Sequence, residues 1–177
     1  MLRAGGILIA PCDTVYGILG RVPDSESAIR ALKGRAEEKP FIIFIGDPLD
    51  TALFSDQAPE PGILGLWPGP LTLILAARAG GSQALRCPDD PWIRSLMEGA
   101  GCPLYSTSVN RSGKPLLWKV ADIEAEFGDS VGLFVEDGDR EGGIPSTILD
   151  MSVRPYALLR QGELRVPEEY LRIRPGP

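Results

Sequence analysis

Three short polar segments of the sequence carry the residue types that could bind and activate an anionic ligand. They are residues 11–17 (PCDTVYG), 33–35 (KGR) and 108–110 (SVN). Together they supply ammonium and guanidinium cations, hydroxyl groups and an amide, and each lies at the end of a predicted strand or helix. Because the chain has no histidine, a Ser-His-Asp triad is excluded. This set of groups favours holding an anionic substrate such as a nucleotide.

The cations of the second segment have two possible roles. Lys33 and Arg35 flank Gly34, which stands where a predicted helix ends. A compact ammonium and a planar guanidinium held close together could neutralise a triphosphate. Cations near a helix C-terminus also meet its dipole favourably, by about 0.3–1 kcal/mol. The tripeptide alone leaves both roles open.

Two loops each allow a ligand-binding and a structural interpretation, whereas one cysteine is expected to be structural. In loop 108–115, Ser108 and Asn110 could bind a ligand or stabilise a turn through their own backbone. This loop is not a phosphate loop, since it lacks the required first glycine and Pro115 replaces the hydroxyl residue. Residues 142–147 (GGIPST) suit either a close backbone approach to a ligand or a plain hairpin. Cys12 has no imidazole to activate it, so we expect a buried structural residue.

The composition narrows the class of protein. The chain has 177 residues and a net charge of −6, which predicts one domain, 1–177, without overall attraction for nucleic acid. Three cysteines without paired spacing indicate a reducing, cytoplasmic setting and argue against a disulfide framework or a zinc site. No apolar run approaches the roughly 20 residues that span a bilayer, so no membrane association is expected.

The elements that must position these groups follow from hydrophobic patterning. Buried strands are predicted at 6–10, 41–45, 71–77 and 103–107, later strands at 131–135, 146–151 and 156–160, and a loop at 11–20. Helices are predicted from Asp24 to Lys33, over 62–67, after Asp89 or Asp90, and over 120–127. This pattern predicts an α/β domain with a twisted mixed sheet and flanking helices. Thr14, Ser108 and Ser146 fall near strand ends, where such sheets bind ligands.

Seven segments, in order along nearly the whole chain, match the motifs of one family. They are 11–17 (family pattern P-T-D/E-T-x-Y-G), 33–35 (K-x-R), 67–73 (W-P-G-P-L-T-L), 85–88 (V-R-x-P), 108–113 (S-x-N-x-S-G), 145–147 (x-S-T) and 159–162 (L-R-x-G). On these residues the chain resembles the YrdC-like family, the threonylcarbamoyl-AMP synthases. Without the extra C-terminal domain of the long form, it resembles the short form.

The resemblance implies a reaction and its participants. Such proteins make threonylcarbamoyl-AMP from L-threonine, bicarbonate and ATP, and release pyrophosphate. The product is used to modify the adenosine next to the anticodon of tRNA, which implies a functional link to tRNA threonylcarbamoyl transferase proteins. Direct RNA binding is left open. An N-carboxylated threonine must attack the anionic α-phosphate, so catalysis would depend on orientation and preorganised positive charge. Mg²⁺ is expected with ATP, bound mainly by phosphate and water.

The resemblance also implies roles for particular residues. The family's conserved catalytic positions map onto Lys33, Arg35, Ser108 and Asn110. Its threonine-binding positions map onto Thr14, Arg86, Ser108 and Ser146. Its nucleotide-binding positions map onto Arg35, Lys39, Ser82, Asn110 and Arg160, and no protein metal ligand is assigned. Arg86 could pair bidentately with the carboxylate of threonine.

Four positions depart from the family pattern. Cys12 replaces a threonine, Phe44 stands where many members have a histidine, Trp118 replaces a small hydroxylated residue, and Gln161 replaces a proline. The helix that normally precedes the first strand is nearly absent. These departures leave two alternatives: a non-catalytic paralogue that binds a nucleotide or RNA, and an enzyme that acts on a different amine or acyl substrate.

Overall fold

One mixed sheet organises the part of the chain that the structure, a computed structural model, describes: residues 1–36 and 40–171. Its strands are β1 (Ile7–Pro11), β2 (Tyr16–Arg21), β3 (Ile42–Phe44), β4 (Leu71–Ala76), β5 (Ser82–Arg86), β6 (Leu104–Ser108), β7 (Leu133–Phe134), β8 (Thr147–Asp150) and β9 (Ala157–Arg160). Their order across the sheet is β7-β1-β2-β6-β3-β5-β4-β8-β9. Parallel pairs (β1 with β7, β3 with β5, β4 with β8) occur together with antiparallel ones such as β1 with β2, which confirms the predicted mixed sheet.

The described ranges contain five α-helices, four between strands and one after β9. They are α1 (Glu26–Lys33), α2 (Pro61–Leu64), α3 (Pro91–Ala100), α4 (Val120–Phe127) and α5 (Glu168–Leu171). The prediction for α4 is confirmed at both ends. Asp90 caps α3 by accepting hydrogen bonds from the backbone N–H groups of Trp92 and Ile93, at 2.9 and 3.1 Å. The N-cap of α1 is Ser25 rather than Asp24, which pairs with Arg21 instead.

The two faces of the sheet carry separate hydrophobic cores, because successive side chains of a strand point to opposite faces. Ile9 and the facing Ile18 pack in the core that includes residues of α1, α2 and α4. Their neighbours Leu8 and Leu19 pack in the second core, which includes Ile93 and other residues of α3. Flanking helices therefore cover the sheet on both sides, as predicted.

The loop predicted over residues 11–20 is wrong over its second half, because residues 16–20 belong to β2. This strand pairs antiparallel with β1, with Tyr16 opposite Pro11 and Gly20 opposite Ile7. Glycines 17 and 20 are required by close packing, not by a turn. A Cβ on Gly17 would lie 2.9 Å from Cys12 Sγ, and one on Gly20 would lie 2.5 Å from the Ser25 side chain.

Strand β5 was not predicted, although it is central. It pairs parallel with β3 and antiparallel with β4. Its sequence, SQALR, begins with exposed polar residues and shows too short an apolar pattern to indicate a buried strand. The strand matters for the site, because its last residue is Arg86.

Candidate active site

A cavity of about 510 Å³ opens on the face of the sheet that carries the second hydrophobic core, whose residues Cys12 and Phe44 line it. Alternate residues of neighbouring strands line it, including Thr72 and Ile74 of β4, Ala84 and Arg86 of β5, and Ser106 and Ser108 of β6. The intervening residues, such as Leu73 and Leu85, are buried in the opposite core. Strand periodicity therefore explains why polar groups gather on one face while the same strands hold the fold together.

Arg86 is the most enclosed cation of this cavity, with a side chain only 3% exposed. Its Nε donates a hydrogen bond to the backbone oxygen of Gly69 at 3.2 Å, and one terminal nitrogen donates to Thr14 Oγ1 at 3.2 Å. The other terminal nitrogen pairs with Asp13 Oδ2 at 2.5 Å. The guanidinium also lies 5.7 Å from the centre of the Phe44 ring. These contacts fix the plane of the guanidinium at one end of the cavity.

A second cluster of polar side chains surrounds Ser146, whose hydroxyl lies 2.9 Å from Thr72 Oγ1. Arg160 donates to the backbone oxygen of Ser146 at 2.9 Å and to its Oγ at 3.2 Å. Burial, and secondly the neighbouring charge of Arg86, lower the pKa of Arg160. Thr72 was not predicted as a site residue, although it belongs to the matched segment 67–73, which was the available signal.

Arg35 and Ser108 also line the cavity. Arg35 donates to the backbone oxygen of Pro40 at 2.9 Å and lies 5.1 Å from the centre of the Phe41 ring. Burial, followed by the charge of Arg30, lowers the pKa of Arg35. The structure thus places six of the predicted residues on one cavity: Thr14, Arg35, Arg86, Ser108, Ser146 and Arg160.

Lys33 lies behind the cavity wall rather than in it. The residue is 2% exposed, and its ammonium donates to the backbone oxygens of Ser108 and Asn110 at 2.5 and 2.8 Å. A third hydrogen bond goes to Asn110 Oδ1 at 2.9 Å. An ammonium has three N–H donors, so these acceptors use all of them. Asn110 is likewise outside the cavity lining, and its Oδ1 also accepts a hydrogen bond from Ser108 Oγ at 2.8 Å.

Two predicted nucleotide-binding residues are not brought to the cavity by the described structure. Ser82 is an exposed residue at the start of β5 and does not line the cavity. Lys39 lies outside the described residues. The role of each predicted site residue stays a prediction.

The loop after β7 holds two residues that line the cavity, Tyr16 and Cys12. The phenol oxygen of Tyr16 donates to the backbone oxygen of Gly138 and accepts from the backbone N–H of Asp137, at 2.9 and 2.8 Å. Arg140 donates to the backbone oxygen of Cys12 at 2.8 Å. Burial, followed by the charge of Asp13, raises the pKa of Cys12 to about 12. The expected buried position of this cysteine is confirmed, and its thiol stays protonated at neutral pH.

Comparison with known proteins decides the family. A family model named Sua5_yciO_yrdC, described as telomere recombination, matches residues 1–162. The chain belongs to the Sua5/YciO/YrdC family. Its curated relatives include proteins named threonylcarbamoyl-AMP synthase from Chromohalobacter salexigens, 36% identical over 85% of this chain and 88% of that protein, and from Klebsiella pneumoniae, 34% identical over 92% of each.

The family also contains longer proteins. The threonylcarbamoyl-AMP synthases of Pyrococcus abyssi and Bacillus subtilis are 30% and 29% identical to this chain, which spans about half of their length (53% and 51%). The crystal structure of P. abyssi Sua5 complexed with L-threonine matches 91% of this chain and 52% of that chain, with a TM-score of 0.81 and 27% identity. Escherichia coli YciO shares the fold, with a TM-score of 0.79 at 21% identity, 91% of this chain and 85% of that chain.

The departures from the family pattern differ in their distance from the cavity. Cys12 and Phe44 line it. Trp118 does not; its backbone oxygen accepts a hydrogen bond from the Arg140 N–H at 2.9 Å. Gln161 is exposed and donates to the backbone oxygens of residues 162 and 164. Of these four departures, only Cys12 and Phe44 therefore change the lining of the cavity.

The described residues include neither a cluster of metal ligands nor a membrane-spanning helix. In ranges 1–36 and 40–171, no group of three or more Cys, Asp or Glu side chains is placed to hold a metal ion. Within the same ranges, none of the helices is both long enough and apolar enough to cross a membrane.

Proposed function

We propose that this chain forms threonylcarbamoyl-AMP from L-threonine, bicarbonate and ATP, with release of pyrophosphate. The observation that carries the proposal is the convergence of three arginines and six serine or threonine residues on one cavity. The names of the curated relatives and the threonine complex of the P. abyssi protein support the same reaction. We further propose that residues 1–177 act as one domain.

One end of the cavity suits an amino acid. Arg86 would pair its remaining N–H groups with the threonine carboxylate. Thr14 Oγ1 already accepts a hydrogen bond from Arg86, so its own proton is available to a substrate oxygen. Ser146 would contact the polar groups of the substrate beside them.

The remaining cations suit the nucleotide. Arg35 and Arg160 would neutralise phosphate charge, and Ser108 would contact the substrate where the two halves meet. None of the described residues that line the cavity is an Asp or Glu. We therefore propose that Mg²⁺ enters with ATP, held by phosphate oxygens and water.

The chemistry needs no protein nucleophile. The raised pKa of Cys12, about 12, keeps the thiol of the cavity protonated. The N-carboxylated threonine itself would attack the α-phosphate, and its oxygen would form the new bond as pyrophosphate leaves. The protein would contribute orientation and fixed positive charge, which lower the repulsion between two anions.

We propose that Lys33 acts through the loop that it holds, not by contact with phosphate. Its three hydrogen bonds fix Ser108 and Asn110, and its backbone oxygen accepts a fourth from the N–H of Ser112 at 2.8 Å. This loop presents the Ser108 hydroxyl to the cavity. Loss of the ammonium would therefore displace Ser108 without removing a ligand contact.

The pH dependence of Lys33 gives a prediction with opposite signs for activity and stability. Burial, followed by the charge of Arg35, lowers the pKa of Lys33 to about 8 from its ordinary 10.5. Above about pH 8 the ammonium loses its proton and one hydrogen bond to the loop, so kcat/KM should fall. Between about pH 8 and 10.5 the unfolded chain binds more protons than the folded one, so Lys33 should contribute increasing stability as pH rises.

The measurement compares wild type with Lys33→Met over that pH range. The variant should have low kcat/KM throughout and no alkaline fall attributable to this residue. The Tm of the wild type should rise relative to that of the variant as pH increases. Parallel pH profiles of kcat/KM for the two proteins would contradict the proposed role of Lys33.

The proposed reaction is tested by pyrophosphate release from purified protein with MgATP. We expect release only when both L-threonine and bicarbonate are present. Omission of either should reduce the signal to background. Pyrophosphate release that does not depend on threonine would reject this reaction. It would also be rejected if this protein released no pyrophosphate in an assay in which a known synthase is active.

Two consequences belong to the same proposal. A product of this kind would be passed to a tRNA threonylcarbamoyl transferase in the cytoplasm. The net charge of −6 offers no overall attraction to RNA, so we propose that the chain acts before tRNA is bound.

A further inference from the structure

A buried carboxylate, that of Asp13, lies beside the cavity without contacting either substrate in the proposed reaction. Asp13 lies in the turn between β1 and β2, and its side chain is 10% exposed. Its Oδ2 pairs with Arg86 at 2.5 Å, but Asp13 does not itself line the cavity. Burial raises the pKa of Asp13, while the charge of Arg86 and the Asp89 backbone oppose that rise. The other oxygen, Oδ1, is buried without a hydrogen bond of normal geometry in the described structure.

This pair is a poor device for stability alone. Two buried charges lose their hydration, and apolar residues of similar volume often stabilise a fold as well or better. A buried oxygen without a hydrogen bond adds a further cost. The presence of Asp13 is therefore better explained by its effect on Arg86 than by stability.

Asp13 has two effects on Arg86. Together with Gly69 and Thr14, it fixes the guanidinium on three sides and leaves one edge for a ligand. It also cancels the charge of Arg86 at that end. A polyanion is repelled by the Asp13 carboxylate in proportion to its charge, whereas a zwitterionic amino acid has no net charge to be repelled. Naturally specific sites often combine a repulsive group with an attractive one in this way.

We propose that Asp13 is a positioning and specificity-determining residue, which directs Arg86 to an amino-acid carboxylate and keeps phosphate groups out of that end of the cavity. This inference rests on the proposed function, since it takes L-threonine as the amino acid. It extends that function by explaining how two anionic ligands find different ends of one basic cavity.

The test measures L-threonine binding by calorimetry, with and without pyrophosphate, for wild type and Asp13→Asn. In wild type, pyrophosphate should leave the Kd for threonine within about two-fold. In Asp13→Asn, the Kd for threonine should rise at least about ten-fold, and pyrophosphate should compete with threonine. A merely structural role would reduce the folded fraction without creating this competition.

Two further variants keep the test decisive. Asp56→Asn removes a carboxylate from an exposed ion pair with Arg78 and should change neither quantity. Asp13→Glu keeps the charge but displaces it, so threonine binding should weaken while pyrophosphate still does not compete; this variant replaces Asp13→Asn if the latter does not fold. Equal threonine affinity in wild type and both Asp13 variants would overturn the inference. Failure of the wild type to bind threonine would instead reject the proposed function.

Discussion

Replacing Arg86 with methionine is expected to lower kcat/KM for threonine by about 100-fold or more and to destabilise the fold. The first effect follows from the loss of a charge-assisted contact to the substrate carboxylate, one of the stronger contacts that a protein offers. The second follows because Asp13 would remain buried without its partner, which costs about 3–5 kcal/mol. Steady-state kinetics and denaturant unfolding measure the two effects separately.

A double variant separates binding from folding. Asp13→Leu combined with Arg86→Met removes both charges, so the stability lost in Arg86→Met should largely return. Threonine-dependent activity should not return, because the contact to the carboxylate is still missing. Recovery of activity in the double variant, or full activity in Arg86→Met, would contradict the role given to Arg86.

Replacing Gly162 with alanine is the second change with a large expected effect. A Cβ at this position would overlap the backbone oxygen of Pro145 and lie 2.5 Å from both Ser146 C and Thr147 N. The neighbours are backbone atoms and cannot rotate away. We expect a loss of about 3 kcal/mol in the free energy of unfolding, at the upper end of ordinary overpacking.

Gly162→Ala should also reduce activity, because the displaced segment carries Ser146, whose backbone oxygen accepts a hydrogen bond from Arg160. Displacement of a positioning group by about 1 Å can reduce turnover about 100-fold. Gly99→Ala is the matched control: Gly99 lies in α3 and an added Cβ meets nothing within 4 Å. It should stabilise by about 0.5–1 kcal/mol without affecting kcat. Equal behaviour of the two variants would refute the packing argument.

Secondary structure was predicted best from the sequence where it depended on the local spacing of apolar residues. The strands near 6–10, 71–77 and 103–107 and helix α4 follow from apolar runs and helical periodicity, and all are confirmed. Prediction from the sequence failed where contacts between distant residues determined the local structure. Glycines 17 and 20 looked like loop residues, yet they allow β2 to lie against Cys12 and Ser25.

The candidate site shows the same division. Sequence motifs brought Arg86, Ser108 and Ser146 to attention, but they could not show which side chains reach the cavity. Lys33 and Arg35 are two residues apart, yet one is enclosed behind the wall and the other lines the cavity. Asp13 was absent from the predicted site because its importance comes from a partner 73 residues away.

The measurement that tests the account most directly is the transfer of carbon-13 from labelled bicarbonate into a nucleotide product, followed by mass spectrometry. Purified wild-type protein with MgATP and L-threonine should yield labelled threonylcarbamoyl-AMP, a mixed anhydride, in equal amount to pyrophosphate, and Arg86→Met should yield almost none. ATP breakdown without label in any nucleotide product, or labelled product that forms without threonine, would contradict the account.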